Sequence, residues 1–218
     1  INWFTNTKNK FFRKILEIII GIDKRAILPK YNEETFENYA KKNKDEINKL
    51  APGFGRKVVI YSTCFVNYNK KNTGVAALKV LKKNGINVEH AYPGCCGMPY
   101  LEQADPQKVI RQAAKVSKEL LKWINKGYTV ITLTASCGLM LKFEWPLLLS
   151  KDDNIKKVSV NTKDIDEYIV DLSKREGLVE GLNEIDGGVT VHHACHARAQ
   201  NMGNKARDML TLIPNIKI

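Results

Sequence analysis

Five cysteines carry the chemistry this sequence can do: Cys64, Cys95, Cys96, Cys137 and Cys195. A thiolate is at once a nucleophile, a redox centre and a soft metal ligand. Thirty residues separate Cys64 from Cys95, and forty separate Cys96 from Cys137. The Cys-x-x-Cys knuckles typical of structural zinc sites are missing. An odd cysteine count, with no stretch that reads as a secretory signal, argues against a structural disulfide framework. Three readings compete. Any one cysteine could be a buried packing residue. The vicinal pair Cys95-Cys96 could form a redox-active disulfide, which leaves the others without a role. A metal site uses them together: zinc on Cys64, Cys95, Cys96 and Cys137, or an iron–sulfur cluster. Wide spacing, with Gly97 and Gly138 exposing backbone N–H groups beside the thiolates, favours the cluster.

The elements that must position these thiols follow from the apolar pattern. Strands are predicted at 58–61, 86–91, 128–134 and 189–192, with a further short one around Val158 and Val160. Helical spacing marks 75–83, 165–175 and a long segment from Pro106 to about Lys126, with a last helix over 195–202. Alternation of strand and helix with short connections predicts an α/β fold with a mostly parallel sheet and flanking helices. Every cysteine lies just past a predicted strand, in a loop opening toward a helix: Tyr61-Ser-Thr-Cys64, Pro93-Gly-Cys95-Cys96-Gly97, Ser136-Cys137-Gly138 and His193-Ala-Cys195-His196. Open α/β sheets bind ligands beyond the carboxyl ends of their strands, so the thiols are expected on one rim.

The residues before about 55 differ in composition. A helix over 11–22, preceded by Lys8 and Lys10, and a second from Asn32 or Glu33 to Leu50 are predicted there. Such a helical arm would pack on the main domain, or serve as an amphipathic foot on an anionic membrane or partner subunit. The chain therefore divides into an arm (1–55), an α/β domain (56–188) and a third segment (189–218). Ile1 in place of Met, and the apolar pattern of Met209, Leu210, Leu212 and Ile213 close to residue 218, set the expectation of a piece of a longer protein.

Composition excludes several classes. At 218 residues, 44% hydrophobic and 27% charged, the chain suits a globular protein with a sizeable core rather than a disordered one. The net charge of +12 comes mainly from Lys, spread along helix faces such as Lys108, Lys115, Lys118 and Lys122. Without basic clusters interleaved with aromatics, nucleic-acid binding is not expected. No Gly-x-Gly-x-x-Gly, phosphate-binding loop or Gly-x-Ser-x-Gly elbow occurs. The longest apolar run, Ile15–Ile22, is broken by Glu17 and is too short to span a bilayer. His192, His193 and His196 flank Cys195 as extra ligands or sulfur donors, or as capping groups, and Arg198 could balance cluster charge. His90 reads as structural, and Trp123 and Trp145 as core.

Cys64, then Pro-Gly-Cys95-Cys96-Gly97-Met-Pro, then Ser-Cys137-Gly resembles the cysteine-rich CCG domain of heterodisulfide-reductase-type proteins. Tyr61-Ser-Thr-Cys-Phe-Val-Asn-Tyr-Asn69 and His193-Ala-Cys-His-Ala-Arg198 are similar to the iron–sulfur subunits of anaerobic glycerol-3-phosphate dehydrogenases and related (Fe-S) oxidoreductase subunits. The stretch from Asn2-Trp3 to Pro29-Lys30 resembles the linker that follows a ferredoxin-like domain in that group. The resemblance implies an electron-transfer subunit that relays electrons from a flavin dehydrogenase subunit toward a membrane quinone rather than binding the organic substrate. It would lie in the cytoplasm, peripheral at the inner face of the membrane. The implied ligands are Cys64, Cys95, Cys96 and Cys137, with Cys195 opening a second CCG domain. Met140 stands where a full Cys-x-x-Cys would place a fifth thiol, which points to an ordinary [4Fe-4S] cluster rather than a non-cubane one, with zinc as the alternative. A disulfide- or thiol-reductase subunit of heterodisulfide-reductase kind, or a zinc-stabilised interaction module, is the alternative function.

Overall fold

The computed structural model describes residues 1–43 and 47–218. The first part holds α1 (Asn2–Thr5), α2 (Lys10–Ile20) and α3 (Phe36–Lys42). From there strands and helices alternate. β1 (Lys57–Tyr61) leads into α4 (Cys64–Tyr68) and α5 (Lys71–Lys83), and β2 (Asn87–Ala91) into α6 (Met98–Glu102) and α7 (Pro106–Ile124). β3 (Thr129–Thr132) is followed by α8 (Ala135–Leu139), a π-helical turn (Met140–Glu144), α9 (Trp145–Leu148) and α10 (Asp153–Val160). β4 (Thr162–Asp164), α11 (Ile165–Arg175), α12 (Cys195–Ala199) and α13 (Lys205–Leu210) complete the order.

The four strands form one sheet in the order β2-β1-β3-β4, parallel throughout. Its centre is buried on both faces, as the continuous apolar runs Val58-Val59-Ile60-Tyr61 and Val130-Ile131 require. Strand alternation sorts these residues cleanly. Val59, Tyr61 and Val130 face a core built on Val109, Ala113, Val116 and Leu120 of α7, together with Trp145 and Ile155. Val58, Ile60 and Ile131 face Leu78 and Leu81 of α5, Tyr168, Ile169 and Leu172 of α11, and Phe36 of α3. The long helix α7 shows why the sequence folds this way. Asp105 caps it by accepting from the Lys108 N–H at 3.0 Å, Pro106 occupies its first turn, and its apolar positions recur every three or four residues.

The chain leaves β1 toward β2 on one side, then crosses back over β1 to reach β3 on the other. The reversal falls between β1 and β3, and in open parallel sheets the crevice beyond the strand ends at such a point is the ligand site.

Several boundaries differ from expectation. Val158 and Val160 lie in α10, not in a strand: the Asp152 side chain accepts from the N–H groups of Asn154 and Ile155 and nucleates a helix, with the strand following at 162–164. No strand forms over 189–192. That segment is extended, with a single parallel bridge from Gly188 to Lys217 and no neighbouring strand of the sheet to continue the ladder. The helix expected from 32 or 33 to 50 is limited to Phe36–Lys42, capped by Thr35, with Asn43 already non-helical; residues 44–46 lie outside the described residues. The last helix ends at Ala199 rather than 202, and a separate helix follows at 205–210.

Candidate metal centre

Three strand ends deliver their thiols to one rim. Cys64 begins α4 three residues past β1, Cys95 and Cys96 lie in the loop past β2, and Cys137 sits in α8 past β3. Cys96 and Cys137 are buried, and their sulfurs approach to 3.2 Å. The half-buried Cys95 lies beside the thiols of Cys64 and Cys96. The Gly97 N–H points at the Cys95 sulfur from 3.4 Å. The neighbouring thiols of Cys64 and Cys96, with the backbone N–H groups, push the Cys95 thiol far below its ordinary range. Cys64 is pushed up by donating to Cys95 and by burial, and Cys96 is pushed up by its contacts with Cys137 and Cys95. Burial and the neighbouring sulfurs also raise the Tyr61 and Tyr92 hydroxyls.

The loops that hold the thiols are locked from below. Thr63, immediately before Cys64, sits at φ 41°, in the left-handed region that a β-branched residue rarely adopts. Strain of this kind costs on the order of 1–3 kcal/mol and persists only where the surroundings enforce it. Here the Ser62 N–H is tied to Ala91 O at 3.0 Å, the Thr63 hydroxyl accepts from the Val66 N–H, and the same hydroxyl meets that of Thr134 at 3.3 Å. The loops after β1 and β3 are thereby stitched together across the crossover point. The Trp145 indole N–H donates to Cys96 O at 2.9 Å, and the Tyr61 hydroxyl donates to Gly94 O at 2.7 Å. Both fix the loop that carries the vicinal pair.

Two glycines are required by geometry. Gly97 takes φ 96° so that its N–H can face the Cys95 sulfur as α6 starts. At Gly138 an added Cβ would lie 2.9 Å from the Gln200 amide and from the Thr132 hydroxyl. Gln200 is buried there, with its amide nitrogen donating to Ala135 O at 3.1 Å and to the Asp164 carboxylate at 3.4 Å. Gln200, Thr63 and Thr134 are site-positioning residues that sequence reasoning misses, and Trp145 reads from the sequence only as core. The Gly138 signal could have found the close approach, though not its partner.

Among the described residues no hydrogen bond or ion pair joins the remaining sequence candidates to the four thiols. Cys195 is exposed at the start of α12, a helix packed against α8. His193 and Arg198 line a small cleft with Asp166, Asn201 and Asn204, His192 is exposed, and His196 is half-buried. Burial and the neighbouring Asp164 push the Asp166 carboxyl up to about 6. His90 approaches Glu37 at 3.4 Å, consistent with a structural role. Among the described residues, no three or more His, Cys, Asp or Glu side chains close on a point suited to a single metal ion.

Comparison with known proteins meets this geometry at the same residues: the family of the cysteine-rich domain CCG matches 58–142, from β1 through the π-helical turn. Over 58–142 the chain is therefore similar to the CCG cysteine-rich domain. Across nearly all of its length the chain is similar to a subunit of the anaerobic glycerol-3-phosphate dehydrogenase of Escherichia coli K12, 26% identical over 223 residues, covering 98% of this chain and 53% of that protein. It is similar to a subunit of the fumarate reductase (CoM/CoB) of Methanothermobacter marburgensis, 26% identical over 201 residues, covering 90% of this chain and 37% of that protein. It is also similar to the lactate utilization protein A of Bacillus pumilus, 28% identical over 166 residues, covering 74% and 66%. The chain thus spans about half the length of the glycerol-3-phosphate dehydrogenase subunit it matches. No solved structure matches it. The matched segment holds all four rim thiols, and Cys195 lies outside it.

Proposed function

We propose that the rim of the CCG domain binds an iron–sulfur cluster through Cys64, Cys95, Cys96 and Cys137, and that the chain is an electron-transfer subunit of a multisubunit oxidoreductase. The observation that carries this reading is the convergence of four thiols, from three separate strand ends, on the crossover of a parallel sheet. The donor set fits the group. Four soft sulfurs with no hard oxygen ligand among them suit iron–sulfur or zinc chemistry. Zinc on the same four sulfurs is the competing occupant, and the metal and sulfide content of the protein separates the two. The Gly97 N–H aimed at a sulfur is the kind of donor that tunes cluster potential. When bound, the cluster would supply a one-electron carrier. The protein's part is to gather the four sulfurs at one rim and to shield Cys96 and Cys137 from solvent.

The finer reading is a [4Fe-4S] cluster, a flavin dehydrogenase subunit as electron donor, and a quinone at the membrane side as acceptor. It rests on the similarity to dehydrogenase and reductase subunits together with the thiol set. Ferredoxin-like and second CCG domains would complete the relay, with residues 1–55 as the arm, 56–188 as the first domain and 189–218 as the opening of the second. No helix among the described residues is long and apolar enough to cross a membrane.

Anaerobic reconstitution with ferrous iron and sulfide tests the proposal. The expected result is a brown protein whose visible absorbance bleaches on reduction, with iron and acid-labile sulfide in equal amounts. Cys137→Ser should lose most of that colour. A colourless protein holding one zinc would overturn the reading. The 3.2 Å approach of Cys96 to Cys137 favours one second reading, a dithiol that reduces a disulfide substrate. The two thiols would become a Cys96–Cys137 disulfide, and their two electrons and two protons would leave the substrate as two thiols. Turnover of a disulfide substrate by the metal-free protein, lost in Cys96→Ser, would favour it over the cluster.

A further inference from the structure

We propose that residues 1–30 form an interfacial anchor that lays the apolar arc of α2 into the surface of an anionic lipid bilayer. The proposal rests on the membrane-side placement in the reading above and names the segment and the lipid chemistry responsible. Projected at 100° per residue, α2 separates completely. Phe11, Phe12, Ile15, Leu16 and Ile18–Ile20 fill one continuous arc, and Lys10, Arg13, Lys14 and Glu17 fill the rest. A helix of a globular domain turns its apolar arc inward. This one does the reverse. Arg13 is the buried residue of the helix, while Phe11, Ile18 and Ile19 are 70%, 73% and 74% exposed.

The inversion is built in. The Arg13 guanidinium donates to the backbone oxygens of Asp23, Lys24 and Ala26 at 2.8–3.1 Å, and the Glu17 carboxylate accepts from the Lys24 N–H. The segment after Gly21 is therefore folded over the polar side of α2, and the apolar side is left outward. Ile27, on the same segment, is 91% exposed. At the other end Trp3 and Phe4 pack on Phe12 with ring centroids 5.2 and 4.9 Å apart, and both remain largely exposed. Exposed aromatic and branched aliphatic groups beside basic ones are the composition of a helix that lies in the headgroup region. Charge selects the partner: residues 1–30 carry seven basic side chains against Glu17 and Asp23, and Lys8, Lys10 and Lys14 are exposed beside the apolar arc.

The anchor is rooted at the thiol rim. Asn2 exchanges two hydrogen bonds with the backbone of Tyr31, Asn69 donates to Lys30 O at 2.9 Å, and the Asn32 N–H donates to Tyr68 O at 2.6 Å. Tyr68 closes the helix that begins with Cys64, and Phe65 and Tyr68 are themselves exposed. A bilayer that takes up the arc thereby has the Cys64 helix held close to it.

Vesicle co-sedimentation of the full chain tests the anchor. Vesicles of phosphatidylcholine with phosphatidylglycerol should bind it, and pure phosphatidylcholine should bind it at least about tenfold more weakly. The triple variant Phe11→Ser/Ile18→Ser/Ile19→Ser should lose about tenfold or more in partitioning, with its circular dichroism unchanged. Should that variant fold poorly, Lys10→Glu/Lys14→Glu, on exposed positions, should weaken binding and flatten its loss with salt. Equal binding by the triple variant, or no binding by the parent chain, overturns the anchor. A concentration-dependent dimer abolished by the triple variant, without vesicle binding, assigns the face to a second copy instead and also overturns it. Cluster loading, followed by visible absorbance on the same samples, separates failure of the anchor from failure of the electron-transfer reading.

Discussion

The thiol rim and the N-terminal hairpin solve opposite problems with the same residue types. At the rim, Trp145, Met140 and Leu141 are fully buried, the apolar groups face inward, and polar groups such as the Trp145 N–H and the Gln200 amide are spent on fixing loops. In the hairpin the cation Arg13 is buried, and isoleucines and phenylalanines face out. Burial of apolar area is what stabilises a fold, so the rim is part of what holds the domain together. The hairpin is held mainly by directed hydrogen bonds, and its apolar area is kept for something else.

The comparison is sharpened first by truncation at the rim. Trp145→Ala removes a fully buried ring and the donor to Cys96 O, and should cost about 3–5 kcal/mol in denaturant unfolding, with cluster reconstitution falling in parallel. A smaller effect tests the flank of the rim. Burial and Asp164 raise the Asp166 carboxyl to about 6 in the folded protein, above the ordinary value of 3.8. A carboxyl raised in this way is destabilising when ionised, so its contribution improves as pH falls through 6 and levels off below about 4. Asp166→Asn should therefore be more stable than the parent chain at pH 8 by about 1 kcal/mol, and the gain should disappear near pH 4. Unfolding curves at the two pH values check the sign. The smallest effect belongs to the hairpin: Ile18→Ser/Ile19→Ser should change stability by less than about 0.5 kcal/mol. A loss of about 2 kcal/mol or more there would break the contrast, because it would mean that the arc is already covered.

Much of the rim was legible in the sequence because its signals are local. A β-branched run followed by a small polar loop and a cysteine reads as a strand that ends in a thiol at the rim, and the structure ends β1, β2 and β3 just before Cys64, Cys95-Cys96 and Cys137. The failures have physical causes. Val158 and Val160 favour a strand by propensity, but the cap at Asp152 and the inward spacing of Ile155 and Val158 decide for a helix. The apolar run at Val189 follows a single bridge between Gly188 and Lys217 and does not join the edge of β2 or β4. The strained Thr63 and the insertion of Gln200 against Gly138 depend on partners seventy-one and sixty-two residues away, and no local pattern encodes such pairs. For α2 the amphipathic period was visible in the sequence. Which side faces outward is decided by Arg13 and the carbonyls that bind it.

Gln200 carries a practical consequence for anyone dividing this chain. Its amide fills the space above Gly138 and supplies a donor to Ala135 O and Asp164. A recombinant piece stopped at residue 188 would uncover the helix that bears Cys137 and leave those acceptors to water. The shortest expressible form that keeps its sulfurs sheltered should extend past residue 200, although the matched cysteine-rich segment ends at 142.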